Sequence, residues 1–252
     1  MELVSILSPH RDDAAFSLAL SIARWSKLDT RLRVVNFFTL SAYAPRAACA
    51  SIRCISTMRA REDRKALAFI SPRIEIVDRH FRDAPIRLNI AASAVCSTET
   101  RSLLTTNLIE SVASEITTFA RGSVVLAPLG LGDHVDHLAV RTAAIRSVPS
   151  HRLAFYEDLP YATWTSHRDL AVRVAQTGLE SGCRLKPAVI RAPRAIWQKR
   201  RSVARYQSQI TRDEGTSIAR WAAEYGSGER IWLPALSRPW CSLVGRTQCL
   251  AL

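Results

Sequence analysis

No stretch of this chain approaches the roughly 18–20 consecutive apolar residues that a membrane-spanning helix needs, so no such span is predicted. Glycine and proline, 9 and 11 among 252 residues, are too few and too scattered for a long flexible linker. No repeat or low-complexity tract interrupts the sequence. The six cysteines (Cys49, Cys54, Cys96, Cys183, Cys241, Cys249) contain no C-x-x-C pair, which leaves a zinc ribbon or finger unsupported. A chain of this length needs no disulfide framework, and the cysteines are expected to be small reduced thiols. The first residues carry no basic leader and reach Pro9-His10-Arg11-Asp12-Asp13 before an apolar signal core could form, so a cytoplasmic location is expected.

Lysine is nearly absent as well. Of 35 basic residues only Lys27, Lys65, Lys186 and Lys199 are lysine, and the formal net charge is +13. Such a balance suits nucleic acid, an anionic surface or an acidic substrate. The arginines, however, are spread along the chain, and the densest cluster, Lys199-Arg200-Arg201, is short. No aromatic-rich RNA-binding signature accompanies them, so nucleic acid is not favoured as a partner. A small substrate carrying phosphate or carboxylate remains open. With 48% hydrophobic and 23% charged residues the composition is that of an ordinary globular protein, read as a single domain over residues 1–252.

Strand-like and helix-like segments alternate. Leu3-Val4-Ser5-Ile6-Leu7 reads as a buried strand, followed by a tight loop and a helix with apolar residues at Phe16, Ala19, Leu20 and Ala23. Leu32 to Leu40 reads as a second strand, 57–68 as a helix and Arg73 to Val77 as a third strand. The stripe Leu104, Leu108, Val112, Ile116 and Phe119 predicts a helix that leads into the strand Ser123 to Pro128. Helix over 134–147, strand over Arg152 to Tyr156, helices near 166–180 and 194–209, and the short strand Ala188-Val189-Ile190 complete the series. The pattern predicts an α/β, Rossmann-like fold with a mostly parallel sheet flanked by helices. In such sheets the active site lies at the carboxyl ends of the strands, which singles out the loops at 8–17 and 127–138.

Those loops hold the reactive side chains. The first contains His10, Asp12 and Asp13; the second is Asp133-His134-Val135-Asp136-His137. His134 and His137, three apart, share a face on a helical turn. Imidazoles and carboxylates in two adjacent loops match a metal site with three protein ligands and an open position, or an acid–base pair. Taken singly, Asp12 or Asp13 caps the helix that follows it, and Asp133 the next.

Ser8-Pro9-His10-Arg11-Asp12-Asp13 resembles the P-H-P-D-D signature of the PIG-L (LmbE-like) zinc-dependent de-N-acetylases, and Gly132 to His137 resembles their H-x-D-H signature. Further likenesses follow in order: Arg59-Ala60-Arg61-Glu62-Asp63 to the R-x-x-E-D helix, Phe81 to Arg87 to the D-A-P-x-R stretch, and Tyr156 to Ala162 to a motif of bacterial members. Lys199 with Tyr206-Gln207-Ser208-Gln209 is similar to the K…Y-x-S-Q helix, and Glu229-Arg230-Ile231-Trp232 to the usual close. The resemblance implies a metal-dependent amidohydrolase that removes an N-acetyl group from an N-acetylglucosamine-type amino sugar in a small molecule, antibiotic or glycoconjugate.

It also implies roles. His10, Asp13 and His137 would hold Zn²⁺, with Fe²⁺ the alternative; Asp12 would be the general base. A protonated His134, oriented by Asp136, would stabilise the oxyanion and help the amine leave. Arg59 and Asp83 fall where members of the family contact the sugar, with a surface ion pair and a turn cap as the competing readings. Two positions depart from the pattern: Arg11 replaces a proline and Ala14 a frequent glutamate. Arg11 would bring positive charge toward the carboxylates or an anionic substrate, or would face solvent. A metallohydrolase for another N-acyl group is an alternative that the sequence separates poorly, because pocket shape decides it; a basic nucleic-acid- or anion-binding α/β module fits less well.

Overall fold

The computed structural model describes residues 3–28, 30–192, 195–235 and 238–244. Its elements run β1 (Leu3–Ser8), α1 (Asp13–Lys27), β2 (Arg31–Asn36), α2 (Ile52–Ile70), β3 (Glu75–Asp78), α3 (Ala84–Leu88), α4 (Thr98–Ser102) and α5 (Thr106–Ala120). They continue with β4 (Ser123–Pro128), α6 (Val135–Ser147), β5 (Leu153–Tyr156), α7 (His167–Glu180), β6 (Leu185–Arg191), α8 (Ala195–Val203), α9 (Arg212–Glu224), β7 (Gly228–Pro234) and α10 (Arg238–Val244). Among the described residues, no helix is long and apolar enough to cross a membrane.

The strands form one sheet in the order β3-β2-β1-β4-β5-β7-β6. β3, β2, β1, β4 and β5 pair in parallel, while β7 runs antiparallel to both β5 and β6. The α/β expectation therefore holds, with β7 the antiparallel member. The central strands are continuous apolar runs because helices cover both faces: Val4, Ile6, Leu7, Val124, Val125 and Leu126 are wholly buried. The order of strands reverses between β1 and β4, the crevice position where α/β sheets bind ligands. The two loops at 8–17 and 127–138 leave the sheet there.

Several boundaries differ from the expected ones for identifiable reasons. β2 stops at Asn36 rather than Leu40 because Phe37 and Phe38 turn their amides onto Ser8 and Pro9 carbonyls at 3.0 and 2.9 Å. That crossing ties residues 37–38 to the loop after β1. α2 starts at Ile52, five residues earlier than expected, because Ser51 accepts the Cys54 amide as a side-chain cap. α9 and β7 carry no expectation from periodicity. α9 opens with a capping box between Thr211 and Glu214.

The cysteines require a correction. Cys49 and Cys54 are disulfide-bonded, and Cys241 is disulfide-bonded too. The turn into the α2 cap brings the Cys49 and Cys54 Cα atoms to 6.3 Å, within bonding reach. Cys96 and Cys183 are free and half-buried, and Cys249 lies outside the described residues.

α1 is broken at Leu18 (φ −129°, ψ 16°), and the break is filled from the far end of the chain. The Glu229 carboxylate on β7 accepts the Leu20 amide at 3.1 Å, the Ser21 amide and hydroxyl at 2.8 Å each, and Lys199 Nζ at 2.6 Å. Both charged residues are buried, so the pair replaces backbone bonds that the kinked helix cannot make.

Candidate metal centre

Helix starts build the site. In the loop after β1, Ser8 Oγ accepts the Ala14 amide at 3.1 Å and Asp13 Oδ2 accepts the His10 amide at 2.7 Å, folding His10, Asp12 and Asp13 into one tight turn. Asp12 occupies the cap position of α1 but makes no capping hydrogen bond, which frees its carboxylate for other contacts. In the loop after β4, His134 itself caps α6: its Nδ1 accepts the Asp136 amide at 3.1 Å. Gly132 (φ 73°) precedes it, and a Cβ there would meet the Tyr161 ring at 2.3 Å, so only glycine lets Tyr161 close over the loop.

The two loops meet on Asp13. His10 Nδ1 and His137 Nε2 each stand 3.3 Å from Asp13 Oδ2. The remaining nitrogen of each ring rests on a further carboxylate: His10 Nε2 on Asp136 Oδ2 at 3.1 Å, His137 Nδ1 on Asp158 Oδ1 at 2.6 Å. The chain Asp136–His10–Asp13–His137–Asp158 thus aims one nitrogen of each imidazole at a common point beside a carboxylate. Ligand atoms of His10, Asp13 and His137 all lie within 4.8 Å of one another. Two imidazoles and one carboxylate, each imidazole backed by an outer carboxylate, are a donor set for a divalent metal of the zinc type.

His10, His134 and Asp136 are equally close together. Asp136, however, is fully committed elsewhere, accepting His10, the Ala84 amide at 2.9 Å and Arg87 Nη2 at 2.7 Å. It belongs behind His10. Asp136 meets the His134 ring through its backbone amide, while its carboxylate holds His10.

Charge follows contact. Burial would drive His10 down, but Asp13 and Asp136 on its two nitrogens raise it to about 10. Burial is likewise overcome at His137, raised by Asp13 and Asp158, and at Asp13, lowered to about 2 by His137 and His10. His134 goes the other way, pushed well below its usual value by burial and then by His10. With Nδ1 accepting the Asp136 amide proton, a neutral His134 ring would carry its hydrogen on Nε2, whereas the resemblance implies a protonated ring.

The remaining expected residues surround the same cavity of 250 Å³. Asp12 lines it and accepts Arg59 Nη2 at 3.2 Å. Arg59 is buried and anchored on Ser41 Oγ at 3.1 Å, so the surface ion pair considered for it does not occur. Asp83 both caps α3, through the Ile86 amide at 3.3 Å, and lines the cavity. Arg11 points away from the cavity. Its buried guanidinium bonds the Thr39 and Ser56 carbonyls at 2.8 and 3.0 Å and Asp78 at 3.0 Å, neither facing solvent nor nearing the ligand set.

Asp158 lies within the Tyr156 to Ala162 likeness, which assigns it no role; it follows β5 at the same sheet edge, and the rule for strand ends points to it. Arg87 and Tyr161 also lie within quoted likenesses that assign them no role, whereas Trp164 and Glu214, drawn in from elsewhere in the chain, carry no comparable signal.

The model of the PIG-L family, GlcNAc-PI de-N-acetylase, matches residues 5–148. The chain belongs to the PIG-L family. As a member it is a hydrolase of the de-N-acetylase class. It is 32% identical over 256 residues to the 2'-N-acetylparomamine deacetylase of Streptomyces fradiae, covering 91% of this chain and 89% of that protein. Among solved structures, the fold is shared with the zinc-inhibited form of the teicoplanin deacetylase Orf2 (TM-score 0.66, 23% identity, 91% of this chain and 97% of that one). It is shared also with the A40926 pseudoaglycone deacetylase Dbv21 (TM-score 0.67, 22% identity, 92% and 96%).

Proposed function

We propose that this PIG-L member is a metal-dependent deacetylase that hydrolyses the N-acetyl amide of an amino sugar within a small, antibiotic-type glycoside. The substrate class is carried over from the Streptomyces fradiae relative, whose name specifies an N-acetylated paromamine. The observation that carries the chemistry is the run Asp136–His10–Asp13–His137–Asp158 at the floor of the cavity. His10, Asp13 and His137 would hold the metal, zinc first and ferrous iron second. A metal there supplies Lewis acidity toward the amide carbonyl and acidity to a bound water.

The protein's own groups do the rest. Arg59 binds Asp12 Oδ1, and Asp12 lines the cavity, where its carboxylate would take a proton from the attacking water and return it to the departing amine. His134 Nε2–H faces the same cavity as a fixed donor for the developing oxyanion, and it needs no positive charge for that task. Asp136 and Asp158 keep the ligand imidazoles in register.

The test pairs metal analysis with acetate release from N-acetylglucosamine glycosides, before and after chelation. About one divalent metal per chain, with acetate release that chelator abolishes and metal restores, is the expected result. Full activity in metal-free protein would overturn the reading, and metal binding without acetate release would move it to another acyl group.

A further inference from the structure

One face of α2 carries Cys54, Met58, Arg61 and Lys65, spaced to lie along the same side of the helix. With Arg53 and Arg205 they line a groove of 740 Å³ that shares no residue with the cavity of the candidate metal centre. The groove is cationic. Its one lining carboxylate, Glu62, is taken up by the Ser208 amide and hydroxyl at 2.9 and 2.6 Å. Arg53, Arg61, Lys65 and Arg205 have no carboxylate partner among the described residues. Arg205 stands 3.9 Å from the centre of the Phe69 ring, and Arg201 stands 5.4 Å from the same ring. Burial, and then that second guanidinium, hold Arg205 below its usual value. An anion in the groove would relieve this crowding of like charge.

The Cys49–Cys54 disulfide opens into this groove. Cys54 is exposed and lines it, in a first turn of α2 that holds no acidic residue, and Cys49 is half-buried. A thiolate released at Cys54 meets the positive end of a 19-residue helix and the groove's cations, the setting in which a sulfur leaves readily and a disulfide is labile. The bond also fastens a segment that reaches the cavity. Residues 41–49 are tied to α2 at both ends, by the Ser41 amide on Ser56 Oγ at 3.0 Å and by the disulfide. Between these ties Tyr43 lines the cavity, and its carbonyl accepts Arg59 at 3.5 Å, the arginine that holds Asp12.

We propose that Cys49–Cys54 is a thiol-exchange site, reduced reversibly by a small thiol that carries carboxylates, and that its redox state sets how firmly the Tyr43 segment closes on the cavity. The first half stands on the groove alone; the second rests on the deacetylase reading above. Arg61 lies seven residues beyond Cys54, about 10 Å along the helix axis, within reach of carboxylates on a thiol of peptide size. The thiolate attacks Cys54 Sγ, and the Cys49 sulfur leaves with the bonding electrons and takes a proton. The mixed disulfide on Cys54 then lies among the cations. A second thiol attacks its outer sulfur and expels the Cys54 thiolate, which the helix end and the groove stabilise. The protein gains two electrons and two protons, and two small thiols become one small disulfide.

The experiment follows reduction of the folded protein by mercaptosuccinate, which carries two carboxylates, and by neutral 2-mercaptoethanol. Alkylation and peptide mass spectrometry count the thiols at Cys49 and Cys54 apart from the other cysteines. The ratio of the two rates is compared between wild type and the double variant Arg61→Gln/Lys65→Gln, so that intrinsic thiol reactivity cancels. At low salt the wild-type ratio is expected to be about tenfold higher, and the difference to shrink in about 0.5 M salt. A disulfide that resists both thiols, or a ratio that the double variant leaves unchanged, would overturn the site. Reduced wild type and Cys54→Ser are expected to show KM for an N-acetylglucosamine glycoside raised severalfold, with kcat and metal content little changed and Tm checking that each is folded. Equal KM in the two redox states overturns the coupling to the cavity. If no form releases acetate the deacetylase reading fails, while the exchange rates still decide the thiol site.

Discussion

At the residue scale, the adjacent acids Asp12 and Asp13 divide their labour because the α1 cap is supplied by Ser8. That leaves Asp13 between two imidazoles and Asp12 against Arg59 at the cavity. Asp12→Asn is expected to retain its metal and lose on the order of 10²–10⁴ in kcat, the scale of positioned acid–base help; metal analysis and steady-state kinetics check both halves. Asp158→Asn removes the outer carboxylate from His137 and is expected to weaken metal affinity by about 10–100-fold, read by competition with a chromophoric chelator. His10 gives the pH dependence its sign. Raised to about 10 in the metal-free fold, it holds its proton across neutral pH and must release it to become a ligand. Apparent metal affinity is therefore expected to climb as pH rises from 6 toward 10, with proton release on binding measurable in a weakly buffered indicator solution. An affinity that stays flat over that range would contradict the assignment of His10.

At the element scale, two buried polar joints brace the helices around the site. One is the Lys199–Glu229 pair in the break of α1. Glu229→Gln leaves Lys199 buried without its counter-charge and is expected to cost about 3–5 kcal/mol by denaturant unfolding. Adding Lys199→Met should recover part of that loss. The other joint links α2 to β2 and the segment after α8: Asp63 accepts Tyr206 Oη at 2.8 Å and Asn36 Nδ2 at 2.9 Å. Burial raises the Asp63 carboxyl to about 7 against the pull of those two donors. Folded Asp63 thus binds its proton more tightly than in the unfolded chain. Its contribution to stability is full below its ordinary value of 3.8 and is lost as pH rises through 7. Asp63→Asn is expected to flatten the fall of Tm between about pH 4 and 7.

For the whole molecule, the proposed metal ligands come from the ends of two parallel strands that lie side by side but are remote in sequence. A metal bound there grips only the folded chain. Stripping the protein with chelator is expected to lower Tm by several degrees, and a metal held at 1,000 times its Kd would account for about 4 kcal/mol. The surface charge and the cavity charge are separate matters. The arginines give the protein its +13, whereas the cavity wall is acidic, and composition averages over the two.

Much of the site is legible in the amino-acid sequence, because strand-to-helix loops are local and their spacing survives there. His10, Asp12, Asp13, His134 and His137 lie in two such loops, and a strand–helix alternation with buried apolar strands places both at one sheet edge. Local pattern does not say which partner each side chain meets. Arg11 is an unexplained cation in the sequence and a buried strut in the fold, since its partners Thr39, Ser56 and Asp78 lie on other elements. Asp136 stands two residues from His134, yet its carboxylate serves His10, 126 positions away. The antiparallel β7 and the disulfide between Cys49 and Cys54 are likewise products of packing. Sequence alone determined the reactive groups and the strand ends that carry them, because those depend on neighbours in the chain. Tertiary structure decided their partners and the direction in which each ionisable group is shifted, because desolvation and Coulomb interactions depend on neighbours in space.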